Sequence, residues 1–391
     1  MQTRPILAPL NQKLEKLAAD RKMIDDTVPA TMVFSEMNQP RDTFVLIRGA
    51  YDKHGEKVTA NTPAVLPPLP AELPKNRLGL ARWLVSSQHP LTARVIVNRY
   101  WQQYFGAGIV KTAEDFGSQG ERPKHPELLD WLATQFIATG WNVKDFQKMI
   151  VMSYVYQQSS HATPELIQKD PSNDLLTRGP RFRMDAEVLR DTALYNSGLL
   201  VEHLGGKSVK TYQPEGVWEA IAFVGSNTRE FKQDHGQALY RRSMYTFWKR
   251  TCPPPSMLTF DAPSRENCTV RRARTNTPLQ ALVMMNDVQF MEAARAMAGR
   301  LLKEGGATPN DRLAYGFRLV TCRRPTDQER QVLQNVYYMH LAEYQNNVDA
   351  AKKLLSYGET PAPAAQDVGE MAALTMISNL LLNLDEAVTK E

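Results

Sequence analysis

NTPLQALVMMNDVQFMEAARAMAGRLLKEGG, residues 276–306, is a long helical pattern. Asn276 or Thr277 is placed to accept bonds from the first helical N–H groups. Pro278 suits the first turn, where a missing N–H costs nothing. We therefore predict one long helix over this stretch.

Helical patterns continue on both sides of this stretch. They cover residues 10–24, 77–87, 89–106, 126–140, 143–160, 184–200, 308–323, 326–347, 348–358 and 367–388. Short strand-like runs lie at 32–37 and 42–49, and weak alternation indicates a short strand near 242–250. The predicted fold class is mainly α, a multi-helix globular domain with a small β element near the N-terminus.

The predicted domain organisation has two parts. Residues 1–74 hold an N-terminal helix, a short β segment and a proline-rich connector. Residues 75–391 form a helical domain with a C-terminal helical subregion at 307–391, in which 361–366, PAPAAQ, is a linker.

Charge and cysteine content exclude several classes of protein. The net charge of +5 over 391 residues is too mild for a dedicated nucleic-acid binder. No apolar run of about eighteen residues is present, so no membrane span is predicted. No CxxCH and no metal-ligand spacing occur, so we expect no haem attachment and no metal site in this chain.

Cysteine chemistry and cellular location stay open at this stage. Cys252 and Cys268 suit a disulfide in an oxidising compartment, and Cys268 near arginines suits either a reactive or a buried free thiol. The N-terminus lacks the apolar core of a signal peptide. The chain is therefore either cytoplasmic or a piece of a longer exported protein.

The stretch 240–282 concentrates positive charge, with eight arginines and lysines and only two acids, Asp261 and Glu266. Such arginines need internal carboxylates or an anionic ligand as partners. Three partners are open: acids such as Asp115 and Asp185, a sulfated or uronate glycan, or nucleic acid. The helix N-terminus at Asn276 adds an anion-binding feature.

Candidate catalytic residues lie in three motifs. Carboxylates near a histidine can serve as a general base and its orienting partner. The alternative is structural, with the histidine in a helix cap and the acids in ion pairs. The candidates are Asp115, His125, Asp185, Asp261 and Glu266.

Candidate ligand-binding residues are mostly arginines. Arg94 and Asn98 are four residues apart and share a helix face, which suits a clamp on a carboxylate or phosphate. The alternative is a salt bridge from Arg94 to Asp115 or Asp130. The full set is Arg94, Asn98, Arg99, Gln119, Arg241, Arg242, Arg265, Arg271, Arg272 and Asn276.

Several stretches resemble a known family. They are PRDTFVLIRGAYDKHGEKV, HPLTARVIVNRYW, DFGSQGERPKHPELLDWLA, RRSMYTFWKR, FDAPSRENC, RTNTPLQALVMMND and LLLNLDE. Together they resemble the planctomycete-specific C-terminal domain of unknown function, with residues 75–386 as the domain and 31–70 as the connector before it.

The resemblance implies a setting rather than an activity. The family's domain follows a cytochrome c-like module in large exported proteins of Planctomycetes and Verrucomicrobia, among sulfatase-like genes. It implies the periplasm or cell surface and a cytochrome-bearing partner domain or subunit, with any haem on that partner. It supplies no role for any residue.

Two functional hypotheses follow. One is a non-catalytic binding or structural module whose arginine-rich face contacts an anionic glycan or a cytochrome-bearing partner. The other is an enzyme acting on a sulfated or uronate carbohydrate through acids and histidine of the 115–125, 185–187 and 261–266 motifs.

Overall fold

The computed structural model describes residues 4–28, 30–361 and 367–390. Helices dominate these residues. The α-helices are α1 Arg4–Thr27, α2 Arg77–Leu84, α3 Thr92–Phe105, α4 Pro126–Ala138, α5 Val143–Val151, α6 Pro164–Lys169, α7 Ala186–Ser197, α8 Val217–Ile221, α9 Pro255–Thr259, α10 Pro278–Asn286, α11 Val288–Glu304, α12 Pro309–Thr321, α13 Asp327–Asn346, α14 Val348–Leu354, α15 Val368–Leu382 and α16 Asp385–Val388. The mainly α prediction is confirmed.

Four short strands form two antiparallel pairs in the described chain. They are β1 Thr43–Leu46 with β2 His54–Val58, and β3 Phe182–Arg183 with β4 Thr389–Lys390. The first pair confirms a β element near the N-terminus, but only one of the two predicted runs, 42–49, contains a strand. The run at 32–37 has no regular secondary structure, and β2 lies beyond both runs. The chain divides into two compact units, one ending at Pro90 and the other starting at Leu91.

In the first unit, α2 is tied to the proline-rich connector. The Trp83 indole donates to the carbonyl of Pro67 at 2.8 Å and packs edge-on against His89. Asn76 caps α2 by accepting a hydrogen bond from Gly79 N–H. The connector is therefore ordered beside α2 by one buried tryptophan.

In the second unit, the main core surrounds α15. Most residues of this helix are buried, on all of its faces, and its Met371, Leu374, Ile377 and Leu381 are fully buried. A helix of this kind has to be covered on every side. It packs against α11 and α13, which provide most of the cover.

A separate core in the second unit joins α3, α4 and α5. Trp101 and Phe105 stack at 4.0 Å between ring centres, and Phe136 packs against Phe146 at 5.2 Å. This aromatic cluster fixes the C-terminal end of α3, which positions the candidate site described below.

The long helix over 276–306 is interrupted. Asp287 has extended backbone angles, ends α10 and caps α11 by accepting a hydrogen bond from Gln289 N–H at 3.0 Å. Thr277 starts α10 in a capping box with Gln280. The single-helix prediction is therefore corrected to two consecutive helices.

The strand-like stretch near 242–250 contains no extended strand. A 3₁₀ turn covers Ser243–Tyr245, and isolated bridges join Thr246 to Val209 and Lys249 to Cys252. Ser243 and Thr246, the buried residues of this stretch after Arg242, are three residues apart, which is not the two-residue period of a strand.

Three further predictions bear on chain chemistry and topology. Cys252 is a buried free thiol and Cys268 an exposed one, with no disulfide between them. Most of the predicted linker, at 362–366, lies outside the described residues. Over the described ranges, no helix combines the length and apolar character that crossing a membrane requires.

Candidate functional site

The loop between α3 and α4 is fixed by the buried side chain of Asn98. Its Nδ2 donates to the carbonyl of Val110 at 3.0 Å, and its Oδ1 accepts from the N–H of Val110 at 2.8 Å. The N–H of Lys124 donates to the carbonyl of Ile109, which joins the two arms of the loop. These hydrogen bonds fix the backbone of the loop and therefore the positions of its side chains.

The loop between α6 and β3 is organised by the buried carboxylate of Asp170. One carboxylate oxygen accepts a hydrogen bond from the N–H of Asp174 at 2.7 Å. Arg178 bridges the same turn, donating to the carbonyls of Asp170 at 2.8 Å and Pro171 at 3.0 Å. These bonds bring the charged side chains of this loop opposite those of the first loop.

The two loops line a cavity of about 350 Å³ at the C-terminal end of α3. That volume is at the small end of ligand-binding pockets. Its largest apolar lining residues are Trp101, Phe105, Ile109, Leu176 and Phe182. Its titratable side chains are Lys111, Lys124, His125, Asp174, Arg178, Arg181 and Arg274. We call this feature the basic cavity.

Positive charge exceeds negative charge in the basic cavity. Among its described lining residues, Asp174 is the only carboxylate. It lies 2.6 Å from Lys111 Nζ and 3.6 Å from Lys124 Nζ, so one carboxylate serves two ammonium groups. The hydrogen bond and charge of Lys111, aided by Lys124, hold the pKa of Asp174 below its usual value.

The arginines of the basic cavity have different partners. The hydrogen bonds of Arg178 go to backbone carbonyls. Arg274 lies over the ring of Phe182 at 4.2 Å and donates to the carbonyl of Gly106 at 3.0 Å. Burial lowers the pKa of Arg274 from its usual value. Arg181 pairs with a carboxylate outside the cavity lining, that of Asp385.

His125 is the one predicted catalytic residue that lines the basic cavity. Its Nε2 lies 2.8 Å from the carbonyl oxygen of Asp174, a position in which a protonated Nε2 donates. Glu266 lies elsewhere, 4.0 Å from Arg250, and both side chains are exposed.

Two other predicted catalytic carboxylates bond to their own loops. Asp115 accepts a hydrogen bond from the N–H of Gly117 at 2.7 Å. Asp261 accepts from the N–H and the hydroxyl of Thr275 at 2.7 and 2.8 Å. The contact of Asp115 is a local turn contact of the kind that aspartates commonly make, whereas Asp261 ties together two ends of the loop between α9 and α10.

Asp185 meets the basic segment at the start of α7. Its carboxylate lies 3.8 Å from Arg272 and 4.0 Å from Arg274. Glu187 binds Arg272 through two hydrogen bonds, at 2.5 and 3.1 Å. Burial works to raise the pKa of Glu187, but the bonds and charge of Arg272 lower it overall. These acids therefore hold the segment 271–274 against α7.

Most of the predicted ligand-binding side chains have partners within the chain. These pairs are Arg94 with Asp130, Asn98 with Val110, Arg241 with the carbonyls of His203, Gly205 and Lys207, Arg242 with Glu202, Arg271 with Glu114, and Arg272 with Glu187. Arg265 lies over the ring of Trp248 at 4.3 Å, and Arg99, Gln119 and Asn276 are exposed.

The cavity residues that our site prediction omitted are mainly lysines and arginines of two loops. Lys111 and Lys124 flank the loop that was singled out for its acids and glycines, and Arg178 lies in the polar stretch after residue 160. Their shared signal was positive charge in long loops, which are common places for binding residues.

In the described ranges, no group of three or more histidines, cysteines or acids is arranged to hold a metal ion.

The fold and the basic cavity define a helical domain with a small cationic site. The profile of the family PSD1, protein of unknown function (DUF1553), matches residues 76–337, more than half of the chain. The chain therefore belongs to this family, in agreement with the resemblance found in its motifs. No curated protein and no solved structure matches it.

Proposed function

We propose that this protein is a non-catalytic binding module that holds an acidic group of a polysaccharide in the basic cavity. The observation that carries the proposal is the lining itself, with five lysines and arginines and a single carboxylate. A cavity with this excess of cations favours an anion over a neutral or cationic ligand.

The cationic groups differ in ways that suit a sulfate or a uronate carboxylate. The guanidinium of Arg178 carries five N–H donors, of which Nη1 and Nη2 each give one to a backbone carbonyl, so donors and a full positive charge remain for an anion. The ammonium groups of Lys111 and Lys124 act as compact charges beside it. Phe182 adds a partly buried aromatic ring, with Arg274 over it at 4.2 Å, to a lining of the kind found in organic ligand sites.

Binding is favoured over catalysis by the distribution of carboxylates. Glycoside hydrolysis ordinarily uses two carboxylic groups on either side of the scissile bond. Within the described lining, the basic cavity offers only Asp174, which is already paired with two lysines. The other predicted catalytic acids bond to their own loops or to arginines elsewhere.

A polysaccharide binding panel tests the proposal. The full chain is applied to immobilised sulfated, uronate and neutral polysaccharides of matched length. The variant Lys111→Gln with Lys124→Gln removes two charges from the basic cavity and keeps the Arg178 bonds that hold its second loop. The control, Arg99→Gln with Arg242→Gln, removes two charges from residues outside it.

We expect retention on sulfated or uronate polysaccharide and none on the neutral one. The cavity variant should lose about tenfold or more in affinity, because charge-assisted bonds contribute roughly 1.5–3 kcal/mol each. The control should bind as the wild type does. Loss of affinity in the control variant alone would place the binding site at the arginines outside the cavity. Absence of selective retention on sulfated or uronate polysaccharide would refute the proposal.

The setting of this binding is also a proposal. The family resemblance supports a periplasmic or cell-surface protein that acts with a cytochrome-bearing domain or subunit. In that arrangement any haem lies on the partner, and this chain contributes the polysaccharide contact.

A further inference from the structure

Helix α1 carries a stripe of exposed apolar side chains. Its members alternate at spacings of three and four residues, and their exposed fractions lie between 47% and 65%. They are Leu7, Leu10, Leu14, Leu17 and Ile24, with Arg21 at the remaining position of the pattern. This is the pattern of a coiled coil over three heptads, with Leu7, Leu14 and Arg21 at position a and Leu10, Leu17 and Ile24 at position d.

The stripe has no cover within the described chain. Every described side chain of α1 is exposed. A single helix with an uncovered apolar face is marginal in water, because most helical stability in proteins comes from packing that face. Pro9 falls at position c, on the side away from the stripe, where it does not obstruct a second helix.

We propose that the stripe packs against α1 of a second copy of this chain, in antiparallel orientation. The charges beside the stripe select that orientation. In a parallel pair, Asp20 at position g would face Asp25 at position e of the second copy, which is repulsive.

In the antiparallel pair the same positions attract. With Leu14 against Leu17 of the second copy, Lys13 of each chain lies beside Asp20 of the other. The two-fold symmetry repeats this pair, so the interface gains two opposite charge contacts.

Arg21 makes the association weak and fixes its register. In the antiparallel pair Arg21 lies against Leu10 of the second copy. A charged side chain at a single a position specifies register at a cost in stability. Its partner within the helix is Asp25, at 3.6 Å and four residues further on.

Sedimentation of the full chain tests the proposal across a range from low to several hundred micromolar. We expect a reversible monomer–dimer equilibrium. Leu14→Glu places a charge in the stripe and should raise the dissociation constant at least tenfold. Gln12→Glu, at position f, adds the same charge to the outer face and should leave the constant unchanged.

A charge exchange tests the orientation and guards against simple loss of helix in Leu14→Glu. Asp20→Lys puts two lysines together in the antiparallel pair and should weaken it, and adding Lys13→Asp should restore it. In a parallel pair, Asp20→Lys would instead strengthen the dimer by facing Asp25. A chain that stays monomeric, a dimer indifferent to Leu14→Glu, or a dimer strengthened by Asp20→Lys would each overturn the proposal.

Discussion

Asn98 is a buried amide whose two polar groups are both used by one backbone residue. It satisfies the N–H and the carbonyl of Val110 at once. A buried backbone group left without a partner costs about 1–3 kcal/mol. The side chain therefore serves the loop that carries the basic cavity rather than contacting a ligand directly.

Replacement of this amide gives the first prediction. Asn98→Ala leaves the N–H and the carbonyl of Val110 without their partner, and we expect the free energy of unfolding to fall by about 2–4 kcal/mol. Denaturant unfolding of the full chain measures this. A loss below about 0.5 kcal/mol would be ordinary for a surface residue and would contradict the structural role.

Replacement of Asp174 is expected to strengthen ligand binding, whereas replacement of the cavity lysines weakens it. Its carboxylate occupies the lysines that the proposed ligand needs, so Asp174→Asn should raise affinity for acidic polysaccharide by roughly five- to tenfold, or about 1–1.4 kcal/mol. Equilibrium binding at fixed salt measures the change, with Asp145→Asn on α5 as a charge-matched control. Equal or weaker binding by Asp174→Asn would mean that the lysines are not ligand contacts.

Residue types alone predicted some pairings and missed others. The sequence predicted that Arg94, if it forms a salt bridge, pairs with Asp115 or Asp130, and the structure pairs it with Asp130. Asn98 and Arg241 drew attention as ligand-binding groups, yet both are buried and bond to backbone groups. Burial of a polar side chain depends on distant packing, which helical spacing does not reveal.

At the scale of elements, periodicity located the helices but not their interruptions. Asp287 separates α10 from α11 without a proline or glycine to mark the place. Its capping contact with Gln289 N–H is local, but the Gln289 side chain is buried and bonded to Arg190 of α7, a long-range contact that helical periodicity does not reveal. The two-residue strands β3 and β4 are likewise too short to leave a sequence pattern.

An ion-pair junction between elements gives a pH prediction. Arg323, after α12, binds Glu329 of α13 at 2.6 Å and Glu386 of α16 at 2.5 Å. Hydrogen bonding to Arg323 lowers the pKa of Glu329 from 4.5 to about 2. The folded carboxylate thus resists protonation more than the unfolded one does.

The direction in which stability changes with pH follows from the difference between the folded and unfolded pKa of Glu329. Because the folded pKa of Glu329 is depressed, its contribution is complete above about pH 4.5 and is lost as pH falls toward 2. We expect Glu329→Gln to lower Tm at pH 7 and to reduce the drop in Tm between pH 5 and 3. The check is thermal unfolding of both proteins at each pH. Plots of Tm against pH that run parallel for the wild type and Glu329→Gln would contradict this prediction.

At the scale of the whole molecule, the basic cavity is assembled from segments far apart in the chain. Lys111, Arg178 and Arg274 come from three separate loops. The uneven charge predicted a cationic site, and the basic stretch 240–282 contributes one residue, Arg274, to its lining. The remaining lining could not be predicted because no local motif joins these loops.

His125 offers the most direct view of the cavity, because it is the one histidine among the lining residues. His161 follows the lining residue Ser160, and His54, His89, His203, His235 and His340 lie outside the lining. The decisive measurement is an NMR titration of histidine-labelled protein with a sulfated and a uronate oligosaccharide, with His125 assigned through His125→Asn. We expect the His125 ring resonances to shift on saturation with at least one of the two, while those of the five histidines outside the lining stay in place. Saturation that leaves His125 unmoved, or shifts at the other histidines instead, would contradict it.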